Sequence, residues 1–134
     1  MPLLSVIIPM YNCAPVIVRC LDSIDYPDCE IIVVNDGSKD NTVEVAKKWG
    51  VHHVVNFTQN KGLAKGFMAG IDACLRNGAD IIVNTDADNQ YNGADIETIV
   101  RPILEGKSDF VIGARPIDQT EHFSPLKKKL QHFG

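Results

Sequence analysis

The sequence predicts an α/β protein, a three-layer α/β/α sandwich around a mainly parallel sheet. Apolar runs rich in isoleucine and valine alternate with longer amphipathic stretches, a pattern typical of strands joined by helical crossovers. The run at 31–34 is apolar at every position, as expected for a parallel strand buried on both faces. Right-handed crossovers between successive strands then predict the strand order 3-2-1-4.

Local patterns place each element. The predicted strands are 4–9, 30–35, 52–56, 80–85 and 109–113, and the predicted helices are 14–25, 40–49, 62–77 and 94–105. Segment 40–42 offers capping side chains at the start of the second helix. Gly50 and Gly78 stand where the second and third helices should end. Gly66 and Gly70 lie one turn apart and predict close packing of the third helix on the sheet.

The composition fits one soluble globular domain. Of the 134 residues, 45% are hydrophobic and 22% are charged, which is usual for a chain that buries a core. Thirteen basic and seventeen acidic residues give a net charge of −4, which argues against a nucleic-acid surface. The four cysteines lack metal-site spacing, so we expect reduced, mostly buried thiols in the cytoplasm. No apolar run approaches the roughly 20 residues of a membrane helix.

An Asp-x-Asp pair follows the fourth predicted strand. Asp86 and Asp88 leave the end of a buried apolar run with one residue between them, so both carboxylates should face the same side. Two carboxylates that close together repel each other unless a cation lies between them. Mg²⁺ or Mn²⁺, which prefer oxygen ligands and often serve a diphosphate, would suit the pair. The alternative is a pair of solvated turn aspartates.

Polar motifs also follow the first and second predicted strands. They are 9–12 (Pro-Met-Tyr-Asn) and 35–38 (Asn-Asp-Gly-Ser), and open parallel sheets bind ligands beyond such carboxyl ends. Tyr11 would line a flat base pocket, or else lie at the edge of the core. Asp36 would accept hydrogen bonds from a base or ribose, or else form a turn or cap the following helix. Lys61, at the start of the third helix, would attract an anion, or else be a surface lysine.

Four strings in order resemble the family 2 glycosyltransferases, which use nucleotide-activated sugars. The strings are 5–12, 30–42, 60–64 and 86–91, and the resemblance covers about residues 4 to 115. The last string, Asp-Ala-Asp-Asn-Gln-Tyr, is most similar to the dolichol- and polyprenyl-phosphate sugar transferases. The resemblance implies a Rossmann-like nucleotide-diphospho-sugar transferase fold and a Mg²⁺ or Mn²⁺ cofactor. It also implies a UDP- or GDP-linked sugar as donor and a lipid phosphate or glycan as acceptor.

The resemblance also implies roles for individual residues. Asp36 would contact the nucleoside, Asp86 the ribose or the metal, and Asp88 would be the main metal ligand. Gln90 matches a position that shapes the donor site, and Arg115 matches an arginine that meets donor phosphates. The predicted donor-binding set is Pro9, Tyr11, Asn12, Asp36, Lys61, Asp86, Gln90 and Arg115, with Asp88 and Asp86 as metal ligands.

The catalytic base is not identified. In the family resembled it is an acidic residue beyond the fifth strand, but Asp118, Glu121 and His122 stand in no matching context. We therefore expect 1–115 to be a nucleotide-sugar-binding domain and 116–134 a basic tail that begins the acceptor side of a longer parent. This chain alone is expected not to transfer sugar. The parent is expected in the cytoplasm, with attachment to the membrane face left open.

Two other classes of function remain open. Haloacid-dehalogenase-like phosphatases also end an apolar strand in Asp-x-Asp, with the first aspartate as nucleophile. Here, however, Asn89 and Gln90 follow the pair, and the motif follows the fourth strand rather than the first. A non-catalytic nucleotide-binding module would keep the donor residues without the acceptor half. The glycine fingerprint of dinucleotide-binding folds and the P-loop are both absent.

Overall fold

A computed structural model describes residues 3–24, 26–85 and 95–112. Strands and helices alternate strictly, which confirms the predicted α/β class. The elements are β1 (Leu4–Met10), α1 (Ala14–Ser23), β2 (Glu30–Asp36), α2 (Thr42–Trp49), β3 (His53–Phe57), α3 (Leu63–Arg76), β4 (Ile81–Asn84) and α4 (Ile96–Leu104).

The four strands form one parallel sheet in the order β3-β2-β1-β4, as predicted. The central strand β1 is paired on both sides, to β2 from Ser5↔Glu30 onwards and to β4 from Leu4↔Ile81 onwards. Because all strands run the same way, the loops that follow them gather at one carboxyl edge. That edge is where an open parallel sheet binds ligands.

Helices cover both faces of the sheet and give the predicted three layers. Alternate side chains of β1, β2 and β4 pack on one face with α1, α2 and α4. The other face is smaller and is covered by α3. Its buried core is Ile7, Ile32, Val34 and Cys74.

The close approach of α3 to the sheet depends on Gly70. A methyl group at Gly70 would lie 2.6 Å from Ile7 Cγ2 and 3.2 Å from Val34 Cγ2. At Gly66, one turn earlier, the nearest atom would be Val34 Cγ1 at 3.7 Å, which is ordinary contact. The predicted close packing is therefore confirmed, with the tight contact at Gly70.

The helix boundaries agree with the predicted caps. Gly50 and Gly78 both have left-handed backbones, with φ of 107° and 82°, and they follow the ends of α2 and α3. At the start of α2, Asp40 Oδ1 accepts the Thr42 N–H at 3.1 Å. Asn41, at the N-cap position of α2, makes no side-chain cap bond, and the first helical N–H is instead bound by Asp40, one residue earlier.

The predicted fifth strand, 109–113, is wrong for the residues that the structure describes there. Residues 109–112 form no strand, and Phe110 and Ile112 are 77% and 80% exposed. The Ser108 hydroxyl donates to the Phe110 carbonyl at 2.8 Å and accepts the Phe110 N–H at 3.3 Å. These local bonds engage the backbone groups that a ladder would need. An apolar pattern alone does not supply the neighbouring strand.

No disulfide joins the four cysteines. Cys13, Cys20 and Cys74 are buried and Cys29 is partly buried, which confirms the prediction of mostly buried thiols. Burial raises the pKa of Cys13 and of Cys74 to about 11, so both are neutral thiols at neutral pH. In the part of the chain that the structure describes, no helix combines the length and apolar character needed to cross a bilayer.

Candidate functional site

At the carboxyl edge, the described pairing differs on the two sides of β1. Pairing of β1 with β2 continues to Met10↔Asn35, whereas its described pairing with β4 ends at Ile7↔Asn84. Backbone groups two residues apart face the same neighbour, and the Ile7 carbonyl accepts the Thr85 N–H at 3.0 Å on the β4 side. Pro9 therefore also faces that side, where it has no N–H to offer. The predicted site residue Pro9 thus lies at the carboxyl edge, on the side of β1 that faces β4.

Asp36 is the last residue of β2 and is only 9% exposed. Its Oδ1 accepts the Lys61 N–H at 2.7 Å, and its Oδ2 accepts the Gly62 N–H at 3.1 Å. The carboxylate therefore holds the loop before α3, rather than capping the helix that follows it in sequence. An ionised carboxylate has about four acceptor positions, so capacity remains for a ligand hydroxyl or N–H.

Lys61 lies beside Asp36 through its backbone and beside Phe57 through its side chain. Its ammonium nitrogen is 4.8 Å from the centre of the Phe57 ring, a cation–π distance. The amides of Lys61 and Gly62 at the start of α3 already bind one anion, the Asp36 carboxylate. A role for Lys61 toward a bound anion would come from its ammonium group and stays a prediction.

Gly37 lets the loop before α3 close over the end of β2. Its φ of 78° is left-handed, and a methyl group there would lie 2.4 Å from the Asn60 backbone nitrogen and 2.6 Å from the Gln59 carbonyl carbon. Such distances to backbone atoms leave no room for a side chain. The loop 58–62 therefore packs directly against the turn predicted at Asp36 and Gly37.

Four side chains join the loop after β1 to the loop after β2, and we call them the loop clasp: Asn12, Ser38, Asp40 and Thr42. The Asn12 N–H donates to Ser38 Oγ at 3.0 Å, and Asn12 Oδ1 accepts the Lys39 N–H at 2.7 Å. Farther along, Thr42 Oγ1 accepts the Cys13 N–H at 3.0 Å and Asp40 Oδ2 accepts the Ala14 N–H at 3.3 Å.

The loop clasp holds the backbone on either side of Tyr11. Met10 is buried in β1, and Asn12 is fixed in a left-handed conformation with φ of 47°. The Tyr11 side chain itself is 47% exposed. Tyr11 is thus accessible at the carboxyl edge, and its role in lining a base pocket stays a prediction.

The Asn35 side chain connects β3 to the loop after β2 by two hydrogen bonds. This side chain is 4% exposed, and its amide donates to Asn56 Oδ1 at 2.6 Å while its Oδ1 accepts the Ser38 N–H at 3.1 Å. Ser38 is therefore held by its N–H and also accepts a bond at its hydroxyl. The loops after β1, β2 and β3 form one connected hydrogen-bonded surface.

The structure describes the fourth strand only as far as the residue before the Asp-x-Asp pair. Thr85 is buried, and its N–H donates to the Ile7 carbonyl of β1 at the carboxyl edge. The predicted residues Asp86, Asp88, Gln90 and Arg115 lie outside the described residues. Within the described ranges, no three acidic, histidine or cysteine side chains gather as a metal site.

A separate groove of about 420 Å³ lies between α2 and the outer strand β3. None of the predicted site residues lines it. Its lining residues are Val43, Lys47, Val51, His52, His53, Val54 and Asn56. The predicted site residues that the structure describes lie elsewhere, so the chemistry predicted for them does not belong to this groove.

The sequence did not single out Asn35, Ser38 or Thr42 as members of the site. A signal was present, because short polar side chains occur almost without interruption from Asn35 to Thr42. Such side chains bond readily to neighbouring backbone groups. The end of that stretch indicates only helix capping, because its bonds across to residues 12–14 depend on which loops become neighbours in the fold.

A sequence model of glycosyl transferase family 2 matches residues 5–131. The chain belongs to glycosyltransferase family 2. This membership confirms the family resemblance, and it agrees with the parallel sheet and the polar carboxyl edge. It also favours a transferase over the phosphatase alternative.

Relatives and solved structures agree with that placement. UDP-N-acetylglucosamine–dolichyl-phosphate N-acetylglucosaminyltransferase of Methanococcus voltae is 30% identical, over 98% of this chain and 60% of its own length. A mannosyltransferase of Pyrobaculum calidifontis, solved with GDP-mannose and Mn²⁺, is 34% identical with a TM-score of 0.54, over 65% of this chain and 28% of that one. Glucosyl-3-phosphoglycerate synthase of Mycobacterium tuberculosis, solved with Mn²⁺ and UDP, is 26% identical with a TM-score of 0.64, over 77% and 40%.

The family 2 chain spans between 54% and 60% of the length of two curated archaeal relatives that it matches. Its similarity to these relatives therefore concerns about half of each of those proteins. Both solved structures above contain Mn²⁺ together with a nucleotide or nucleotide sugar, as their descriptions state. They agree with the predicted metal and donor class without distinguishing Mg²⁺ from Mn²⁺ or one donor from another.

Proposed function

We propose that this chain is the donor-binding part of a glycosyltransferase that takes a sugar from a UDP- or GDP-linked donor and passes it to a lipid phosphate or glycan. The observation that carries the proposal is that the exposed Tyr11, the Asp36 carboxylate and Pro9 all lie at one carboxyl edge of the sheet. Membership of glycosyltransferase family 2 supports the reaction class.

The described residues would bind and orient the nucleoside half of the donor. Tyr11 offers an aromatic face on which a base can stack. Asp36 is held by two backbone N–H groups, so its remaining acceptor positions have fixed directions for a ribose hydroxyl or a base N–H. Fixing the leaving nucleotide in this way lowers the entropy cost of bringing the anomeric carbon to its acceptor.

Asp86 and Asp88 would hold the divalent ion. The fit rests on donor chemistry, since carboxylate oxygens suit Mg²⁺ and Mn²⁺, and on the position of Thr85, which brings the chain to the carboxyl edge next to β1. A bound ion would supply positive charge that stabilises the departing diphosphate. Gln90 and Arg115 are proposed to shape the donor site and to meet its phosphates.

The proposed acceptor class rests on the relatives. The Methanococcus voltae protein acts on dolichyl phosphate, as its name states, and its similarity covers 98% of this chain. A lipid acceptor would place the whole protein at a membrane surface, and we propose its cytoplasmic face. The boundary at residue 115 between a donor domain and a basic tail stays a prediction.

Calorimetry can test donor binding on this chain directly. UDP and GDP would be titrated with Mn²⁺ present and with a chelator present. We expect one of them to bind at least about tenfold more tightly with Mn²⁺, equivalent to about 1.4 kcal/mol, because the ion offsets the repulsion between the carboxylates and the diphosphate. Asp88→Ala should remove most of that gain.

Asp72→Ala is the matched control, because Asp72 is an exposed carboxylate on α3 whose partner is Arg76. This variant should keep the full effect of Mn²⁺. Equal affinity with Mn²⁺ and with chelator in the parent chain would contradict the metal role. Failure of both nucleotides to bind would contradict the proposed function itself.

A further inference from the structure

The Thr42 hydroxyl is buried at the start of α2 and makes two hydrogen bonds there. Thr42 is completely buried, so its hydroxyl depends on protein partners. It donates to Asp40 Oδ1 and accepts the Cys13 N–H at 3.0 Å. Because donor and acceptor directions are both used, the hydroxyl is fixed and links the beginning of α1 to the beginning of α2.

Asp40 completes this link from the exposed side. Its carboxylate accepts the Thr42 N–H at 3.1 Å, the Thr42 hydroxyl and the Ala14 N–H at 3.3 Å. The Thr42 hydroxyl first, and then the backbone bonds, lower the pKa of Asp40, so the group is ionised at neutral pH. Thr42 and Asp40, which follow β2, thus accept the N–H groups of two consecutive residues that follow β1, Cys13 and Ala14.

This link between α1 and α2 also affects the position of Tyr11, the predicted base-binding residue. The backbone of Tyr11 lies between buried Met10 and Asn12, a member of the loop clasp. Asp36 is the last residue of β2, so it begins the second of the two loops that the loop clasp joins. The distance and angle between the Tyr11 ring and the Asp36 carboxylate therefore depend on how the two loops are joined.

We propose that Asp40 and Thr42 are positioning residues for the nucleoside half of the donor, acting through Tyr11 and Asp36 rather than by touching the ligand. This inference rests on the proposed function. A role confined to capping the two helices would instead affect stability alone. The two roles differ in one measurable way, because positioning alters nucleoside recognition selectively and leaves the diphosphate half untouched.

The experiment compares Thr42→Val with Thr42→Ser on the full chain. Valine keeps the shape without the hydroxyl, whereas serine keeps the hydroxyl. Calorimetry would measure whichever of UDP and GDP the parent binds, and separately inorganic diphosphate, each with Mn²⁺. We expect Thr42→Val to bind the nucleotide about tenfold more weakly, equivalent to about 1.4 kcal/mol. Diphosphate affinity should change by less than about twofold, and Thr42→Ser should restore nucleotide binding.

A second variant keeps the test decisive if Thr42→Val does not fold. Asp40→Ala removes the acceptor of the Ala14 N–H, of the Thr42 N–H and of the Thr42 hydroxyl. It should show the same selective loss. Nucleotide affinity equal to that of the parent, or an equal loss for nucleotide and diphosphate, would overturn the inference. A parent that binds neither nucleotide would instead contradict the proposed function and this inference with it.

Discussion

The two edges of the sheet carry polar networks of different kinds. At the amino edge, Ser5 Oγ donates to Glu30 Oε2 at 3.0 Å, and Glu30 Oε1 lies 2.6 Å from His53 Nε2. These bonds join side chains of three adjacent strands to one another. The amino edge also has two bonds from backbone N–H groups at the starts of strands, Leu3 to Asp80 Oδ2 at 2.7 Å and Ile31 to His52 Nδ1 at 3.0 Å. At the carboxyl edge, most bonds join side chains to the backbone of the loops that carry predicted site residues, as between Asp36 and Lys61.

The two kinds of hydrogen-bond network contribute differently to stability and to ligand binding. Bonds between strand side chains stabilise the sheet, whose geometry the ladders already define. Bonds from side chains to loop backbones define geometry that no ladder supplies, and those loops carry the predicted donor residues. Changes at the amino edge should therefore affect stability without affecting ligand binding, whereas changes at the carboxyl edge should affect both.

The largest expected effect is at the carboxyl edge. Gly37→Ala should lower the free energy of unfolding by about 3 kcal/mol or more, because left-handed strain adds to a 2.4 Å clash with the Asn60 backbone. Gly78→Ala is the control, since its φ of 82° is similar but nothing lies within 4 Å. Urea unfolding should give a loss of about 1 kcal/mol there. Equal losses of unfolding free energy in Gly37→Ala and Gly78→Ala would show that loop 58–62 does not pack tightly against Gly37.

A smaller effect is expected at the amino edge. Glu30→Ala should cost about 1–3 kcal/mol of unfolding free energy, because the buried Ser5 hydroxyl loses its acceptor and His53 loses its partner. Nucleotide affinity should stay unchanged. Glu97→Ala, which removes an exposed pair with Arg101, should cost less than about 0.5 kcal/mol. A marked loss of nucleotide affinity in Glu30→Ala would break the distinction between the edges.

The smallest effect is a pH dependence at the loop clasp. Hydrogen bonds, that of the Thr42 hydroxyl first, hold the pKa of Asp40 below its ordinary 3.8. The stabilisation is therefore fully present above about pH 4 and is lost as the pH falls through the lower folded-state pKa. Unfolding free energies of the parent and Asp40→Asn should differ above pH 4 and converge below it. A difference that stays constant from pH 6 to 2.5 would contradict this assignment.

Sequence patterns predicted the sheet well, because each strand except the last is an apolar run with a partner. The strand order followed from crossover handedness and needed no side-chain contact. Phe110 and Ile112 show the limit, since they have the apolar character of a strand but Ser108 engages the Phe110 backbone. Hydrophobicity reports a tendency to be buried and does not supply the neighbouring strand.

The candidate site was predicted less completely than the fold. Asp36 was singled out, but its partners come from 25 and 26 residues farther along the chain, and no local pattern encodes that pairing. The bonds of Thr42 to Cys13, and of Glu30 to His53, also depend on which strands become neighbours. Residue types therefore indicated the chemistry of the site, whereas its supporting contacts required the fold.

The most direct test of the account is an NMR titration that maps where the nucleotide binds. UDP or GDP with Mg²⁺ would be added to ¹⁵N-labelled chain, and amide shifts would be followed residue by residue. The account predicts the largest changes at the carboxyl edge, at Tyr11, Asp36 and Lys61, with Glu30 and other amino-edge amides unchanged. Largest changes at Lys47 and His52, in the groove between α2 and β3, would contradict it.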